Sequence, residues 1–186
     1  MTAVGQGRLQ ALYAGGDDPW GFRTSVYEQA KFQATRDALV QPAYASALEL
    51  GCGNGEFARH IAPLCAAYTG IDAVGSALDA ARRAVPEGRF EQAYLPCKLP
   101  SGPHDLILLS EVLYFLDLPG IAALGGQIAR RWPAAEVVTV NWLGPSGNPL
   151  QGGASLIAFA KALRPAFTTT LVSRTTDYRI DRFGAP

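Results

Sequence analysis

The chain has 186 residues, enough for one domain with a real core, and its 16 Lys and Arg balance 16 Asp and Glu to a formal charge of zero. Counterion-driven nucleic-acid binding needs a clustered basic footprint; the basic residues gather no further than pairs such as Arg82-Arg83 and Arg130-Arg131, so no nucleic-acid partner is expected. No apolar run approaches the roughly 20 residues that span a bilayer and no basic-then-apolar leader opens the sequence, so a cytoplasmic location without a membrane partner is expected.

Residues 1–21 are rich in glycine and polar residues and end in the turn-forming cluster Asp17-Asp18-Pro19-Trp20-Gly21. A helix is predicted from Phe22 to Val40, with Tyr27, Ala30, Ala34 and Ala38 on one stripe, and Pro42 bars its continuation. Strands and helices then alternate: strand 46–51, helix 55–63, strand 66–71, helix 74–84, strand 89–93, strand 105–110, helix 120–131 and strand 135–142. The runs Leu106-Ile107-Leu108-Leu109 and Val137-Val138-Thr139-Val140 are continuous, as in strands covered by helices on both faces, so the sheet is predicted to be mostly parallel and doubly wound. A glycine- and proline-rich loop, a helix at 153–163 and two strands at 166–174 and 176–183 close the chain as an antiparallel hairpin at a sheet edge. Residues 1–186 read as a single domain in which 1–42 form a cap.

The segment Ala47-Leu48-Glu49-Leu50-Gly51-Cys52-Gly53-Asn54-Gly55 takes an apolar strand into a glycine-rich turn, and Ile71-Asp72 ends the next strand. Glycines there leave bare backbone against which a ligand can lie, and Asp72 is placed to accept both hydroxyls of a ribose. A dinucleotide fingerprint counted from Gly51 needs its third glycine at position 56; Glu56 stands there and would repel a pyrophosphate. S-adenosylmethionine carries no phosphate and has a cationic sulfonium, for which Glu49 and Glu56 are tolerable or helpful neighbours. The pattern resembles the cofactor half of class I S-adenosylmethionine-dependent methyltransferases, which implies a Rossmann-like α/β fold. Cys52, Cys65 and Cys97 are scattered, and His60 and His104 stand alone, so no metal is expected and the thiols read as reduced. Cys52 reads as a small apolar filler beside the cofactor.

A narrower resemblance rests on Asp17-Asp18-Pro19-Trp20, Tyr27-Glu28, Ala47 to Cys52, Ala62-Pro63-Leu64-Cys65 and Asp105 to Leu116, which includes Ser110-Glu111-Val112-Leu113-Tyr114. Together these resemble the NodS family, the nodulation-protein S methyltransferases, over residues from about 10 to Phe183. The resemblance implies N-methylation of a freed amine on an amino sugar. Two departures stand out: Tyr94 in Gln92-Ala93-Tyr94 occupies a place where an adenine-binding Asp is common, and Trp132-Pro133-Ala134-Ala135 replaces a Pro-Gly-Gly turn.

Cofactor contacts are therefore expected from Gly51, Cys52, Gly53, Gly55, Asp72, Ala73 and Ser110, with Ala93 and Tyr94 at the adenine. Glu49 would fix the loop, receive the methionyl ammonium or cap nearby amides. Trp20, Arg23 and Tyr27 would form a lid over the methionyl end. Glu111 in apolar surroundings should be paired, orienting an acceptor amine or holding Arg23 or another cation, and Tyr114 would bond the acceptor or line the pocket. Asn141 to Pro145 fall where substrate contacts are expected. His60 reads as a surface residue and His104 as an ordinary loop residue. The expected partner is a small-molecule amine or amino sugar, met by a monomer or weak dimer. An O-methyltransferase of the same fold, and a catalytically silent S-adenosylmethionine-binding module, remain the alternatives.

Overall fold

The computed structural model describes residues 2–186. In chain order the elements are α1 (Gln6–Leu12), α2 (Val26–Asp37), β1 (Ala47–Leu50), α3 (Ala58–Ile61), β2 (Tyr68–Asp72), α4 (Gly75–Ala84), β3 (Arg89–Gln92), β4 (Leu106–Ser110), α5 (Leu118–Arg131), β5 (Glu136–Trp142), α6 (Gly152–Leu163), β6 (Thr168–Arg174) and β7 (Tyr178–Gly184). All seven strands join one sheet in the order β3-β2-β1-β4-β5-β7-β6. The first five run parallel, and β7 pairs antiparallel with both β5 and β6, as the predicted edge hairpin requires.

Side-chain alternation divides the strands between two cores. Leu48 and Leu50 of β1, Ile107 and Leu109 of β4 and Phe183 of β7 pack with Ile121, Leu124 and Ile128 of α5 and with Leu156 and Phe159 of α6. Ala47, Leu106, Leu108 and Val140 face the other way, onto Phe32 of α2, Ile61 of α3 and Leu78 of α4. Both faces are buried, which explains the unbroken apolar runs. The order of strands reverses between β1 and β4, so connections diverge there and leave a crevice outside their carboxyl ends.

Element boundaries shift from the sequence reading where caps and proline act. Helix α2 starts later than predicted because Ser25 is its N-cap, its Oγ accepting from Glu28 N at 3.2 Å. The helix predicted at 55–63 is a short α3 followed by a 3-10 turn containing Pro63. Helix α5 starts earlier because Asp117 caps it, accepting from Gly120 N at 2.8 Å. Helix α1 went unpredicted. It has no side-chain cap and buries no residue, so it lacks the apolar stripe that would announce it.

Candidate active site

The crevice holds a cavity of about 410 Å³. Its floor is the loops after β1, β2, β4 and β5, and its roof is the N-terminal segment, with Val4, Leu9, Tyr13 and Trp20 facing inward. Tethers from separate walls hold that roof. Val4 N donates to Phe115 O at 2.8 Å, Tyr94 Oη donates to Val4 O at 2.6 Å, and Arg8 donates to Gly147 O at 3.0 Å. The Asp-Pro-Trp segment is fastened by Asp18, which accepts from Phe22 N and Arg23 N and, at 3.0 Å, from the side chain of Asn54 in the glycine loop. Strand spacing of about 4.8 Å then sets the layout: Ala93 after β3, Asp72 on β2, Gly51 after β1, Glu111 after β4 and Trp142 on β5 succeed one another along the floor.

At the β2 end, Asp72 accepts from Gly53 N and Val74 N, each at 2.9 Å, so each carboxylate oxygen keeps a lone pair for a ligand. Burial raises its pKa while these amides oppose the shift. Tyr13 closes over this end. A Cβ on Gly53 would stand 3.0 Å from the Tyr13 hydroxyl, and burial, then Asp72, raise the phenol's pKa. Glu49 is only 1% exposed and lines the cavity wall; Tyr68 Oη donates to its Oε2 at 2.5 Å. Burial pushes its carboxyl up to about 8, so at neutral pH it is largely protonated. Cys52 lines the same wall with its thiol well above the ordinary range through burial, as suits a filler and not a nucleophile. Ala73, Ala93, Tyr94 and Ser110 also line the cavity.

At the β4 end, Glu111 has φ of 57°, an uncommon backbone for a residue with a side chain, which turns its carboxylate inward. Its Oε2 accepts from Tyr114 Oη at 2.9 Å and Trp142 N at 2.7 Å, and its Oε1 accepts from Lys31 Nζ at 2.9 Å. Lys31 is 3% exposed and also pairs with Glu28 at 2.9 Å. Burial works against its ammonium, but Glu111 and Glu28 outweigh that and hold its pKa above the ordinary lysine value. Burial, then Glu111, raises the Tyr114 phenol, so it is neutral throughout the physiological range.

Several expected residues lie elsewhere. Arg23 does not line the cavity; it bonds Asp17 at 2.6 Å and Glu56 at 3.2 Å in a separate surface cleft beside Arg59 and His60. Glu56 is neutralised there by Arg23 and Arg59 and does not face the cavity, which corrects the reading of it as a sulfonium neighbour. Gly55 is required by packing: its φ is 79°, and a Cβ would come 2.7 Å from Ala81 Cα of α4. Tyr27 packs edge-on against Tyr178 rather than over the cavity. The cation on Glu111 is Lys31, not Arg23. His60 is half-buried, bonding Gln29 at 3.0 Å, and His104 is buried against Trp132, bonding Ser46 at 2.8 Å. Lys31, Glu28 and Tyr13 were missed. Lysine inside a helical pattern reads as solvated, and only the spacing of Glu28 and Lys31 hinted at a pair. Among the described residues no group of three His, Cys, Asp or Glu side chains is placed to hold a metal, and no helix is long and apolar enough to cross a membrane.

The strand order, the glycine loop after β1 and the acidic end of β2 define the class I methyltransferase fold. The N-methyltransferase NodS of Bradyrhizobium japonicum, solved with S-adenosyl-L-homocysteine, superposes with a TM-score of 0.81 at 21% identity, covering 97% of this chain and 98% of that one. A family model described as Nodulation protein S (NodS) matches residues 8–122, and the chain belongs to that family. Nodulation protein S of Sinorhizobium fredii is 30% identical over 158 residues, which cover 83% of this chain and 68% of that protein. That of Bradyrhizobium diazoefficiens is 35% identical over 106 residues, and the match spans only half of its length.

Proposed function

We propose that the chain is an S-adenosylmethionine-dependent methyltransferase that methylates the amine nitrogen of a small molecule, with an amino sugar as the leading acceptor class. The observation that carries this reading is the pairing of two poles in one cavity. A ribose-type carboxylate and bare glycine backbone lie at Asp72 and Gly51–Gly53, and a half-buried carboxylate bonded to a buried phenol, Glu111 and Tyr114, lies about two strand spacings away. Family membership and the solved NodS complex support the same reading.

The residues fit the cofactor. Asp72 has lone pairs free for ribose hydroxyls, Tyr94 and Ala93 flank the adenine end, Trp20 and Ser110 the methionyl end, and Glu49 offers Oε1 to an ammonium. When bound, S-adenosylmethionine supplies a methyl group on a cationic sulfonium. The protein's task is then alignment and exclusion of water, which the roof of residues 4–20 performs as a cap. Tyr114 donates its own proton to Glu111, so its oxygen presents lone pairs to the cavity and can accept an N–H from the acceptor amine. That orients the nitrogen without a metal or a strong base, as suits an amine better than a hydroxyl acceptor.

Three free thiols accord with a reducing, cytoplasmic setting. The test is transfer of labelled methyl from S-adenosylmethionine to a glucosamine disaccharide with free amines, beside its N-acetylated form and a phenol. Label on the free amine only supports the proposal; label on the phenol, or failure of S-adenosylhomocysteine to bind in calorimetry, refutes it.

A further inference from the structure

Two carboxylates reach the β4 end of the cavity, and they are not equivalent. Glu111 holds three donors, Lys31 Nζ, Tyr114 Oη and Trp142 N. Those three bonds occupy both of its oxygens, so Glu111 is committed to holding Lys31, Tyr114 and the β5 backbone. Glu28 lines the same cavity with a side chain 15% exposed; its Oε2 lies 2.9 Å from Lys31 Nζ as an ion pair but accepts no hydrogen bond. Its position explains this freedom. Ser25 and Glu28 have the spacing of a capping box, whose glutamate normally returns to the N-cap amide. Here Ser25 N already donates to Gly21 O at 2.9 Å, and the carboxylate turns instead toward Lys31.

The charges add to one excess negative: Glu28 and Glu111 against Lys31. The other titratable groups beside Glu28 are the phenols of Tyr27 on α2 and Tyr114 after β4, both raised by burial first, with Tyr178 of β7 packed on Tyr27 and Asp177 near it. Tyr27 and Tyr178 place their rings 5.5 and 6.0 Å from Lys31 Nζ and hold it between the carboxylates. Such a pole attracts a protonated amine, which is no nucleophile until a proton leaves.

We propose that Glu28 is the catalytic residue that takes this proton, and that Lys31 is a positioning residue which keeps Glu28 aimed into the cavity; this rests on the amine-methyltransferase reading above. The ammonium N–H bond breaks with its electron pair left on nitrogen, and the proton passes to a Glu28 oxygen. The nitrogen pair then forms the N–C bond as the C–S bond of the sulfonium donor breaks, its pair going to sulfur. Glu28 returns the proton to solvent as products leave. Glu111 keeps its bonds to Lys31, Tyr114 and Trp142 throughout.

The test uses E28Q, E28D and K31M with the glucosamine disaccharide as acceptor. S-adenosylhomocysteine should bind E28Q within twofold of wild type, which also reports folding. Binding of the disaccharide to that complex at pH 6 should weaken tenfold or more. Transfer at pH 7 should fall by about a hundredfold or more. The loss should shrink by a few-fold as pH rises through the amine's own titration and then level off, as solvent supplies the neutral amine, and E28D should recover part of the rate. K31M should lower kcat and change the pH profile while leaving S-adenosylhomocysteine affinity intact. Wild-type transfer by E28Q at pH 7, or a loss that does not vary with pH, overturns the assignment. Normal S-adenosylhomocysteine binding by wild type with no transfer to the disaccharide overturns the amine pole itself, whereas absent binding overturns the methyltransferase reading instead.

Discussion

Glu49 offers a proton-counting test of how the cavity receives its donor. Its carboxyl stands at about 8 because it is buried, with Asp72 adding to the shift and the Tyr68 hydrogen bond opposing it. At pH 7 the free protein therefore carries roughly 0.9 proton there. A ligand ammonium placed against Oε1 supplies the missing counter-charge and draws the carboxyl back toward its ordinary value near 4.5, a change of at most roughly 5 kcal/mol. Binding should then release close to one proton at pH 7, and donor affinity should rise by up to about tenfold per unit between pH 5.5 and 7.5.

The assay is calorimetry of S-adenosylhomocysteine in two buffers of different ionisation enthalpy. Wild type should show a buffer-dependent heat equal to nearly one proton, and Glu49→Gln should show none and a flat affinity over that range. The free protein gives the matching sign. The folded pKa of an acid is raised here, so the folded state binds the extra proton between about 4.5 and about 8. The stability that Glu49 contributes is full below that window and is lost as pH rises through it. Urea midpoints of wild type should fall across it relative to those of Glu49→Gln. Equal proton release by the two proteins would refute the placement of an ammonium at Glu49.

Three further outcomes follow from the geometry. Asp72→Asn keeps the shape but loses the charge and one acceptor, so donor affinity should drop by about 2 kcal/mol, roughly thirtyfold by calorimetry. Gly55→Ala should destabilise the fold by about 1–3 kcal/mol in urea melts, because φ of 79° and the approach to Ala81 both resist a Cβ, while the folded fraction binds S-adenosylhomocysteine with unchanged affinity. Tyr94→Phe removes the hydroxyl that holds Val4 O; at about 1 kcal/mol, amide exchange along residues 4–13 should quicken some fivefold, with the sheet unaffected.

The fold was legible because burial on both faces writes itself into sequence as unbroken apolar strands, and because the hairpin at 168–184 is rich in strand-forming Thr, Val, Tyr, Ile and Phe. That Gly51 and Asp72 would line one cavity was legible for a related reason: they enter it through backbone shape and strand position, which are local. Helix α1 was not, since its order comes from tethers to Phe115, Tyr94 and Gly147, residues far away in the chain and invisible to any periodicity. Pairing of charges fails in the same way. Arg23 and Glu56 looked like ligands of a cavity because each was weighed alone, yet together they neutralise one another outside it.

Lys31 is the opposite case, a residue that helical spacing marks as solvated and that the fold buries between two carboxylates. The cost of burying that ammonium is large unless both partners are present. The proposed acceptor pole is therefore a single cooperative unit, Glu28, Lys31, Glu111 and Tyr114, assembled from α2 and the loop after β4. Losing any one charge should disturb the others. At the other end, Asp72 and Glu49 act on each other only through charge, and each is held in place by backbone amides or a tyrosine.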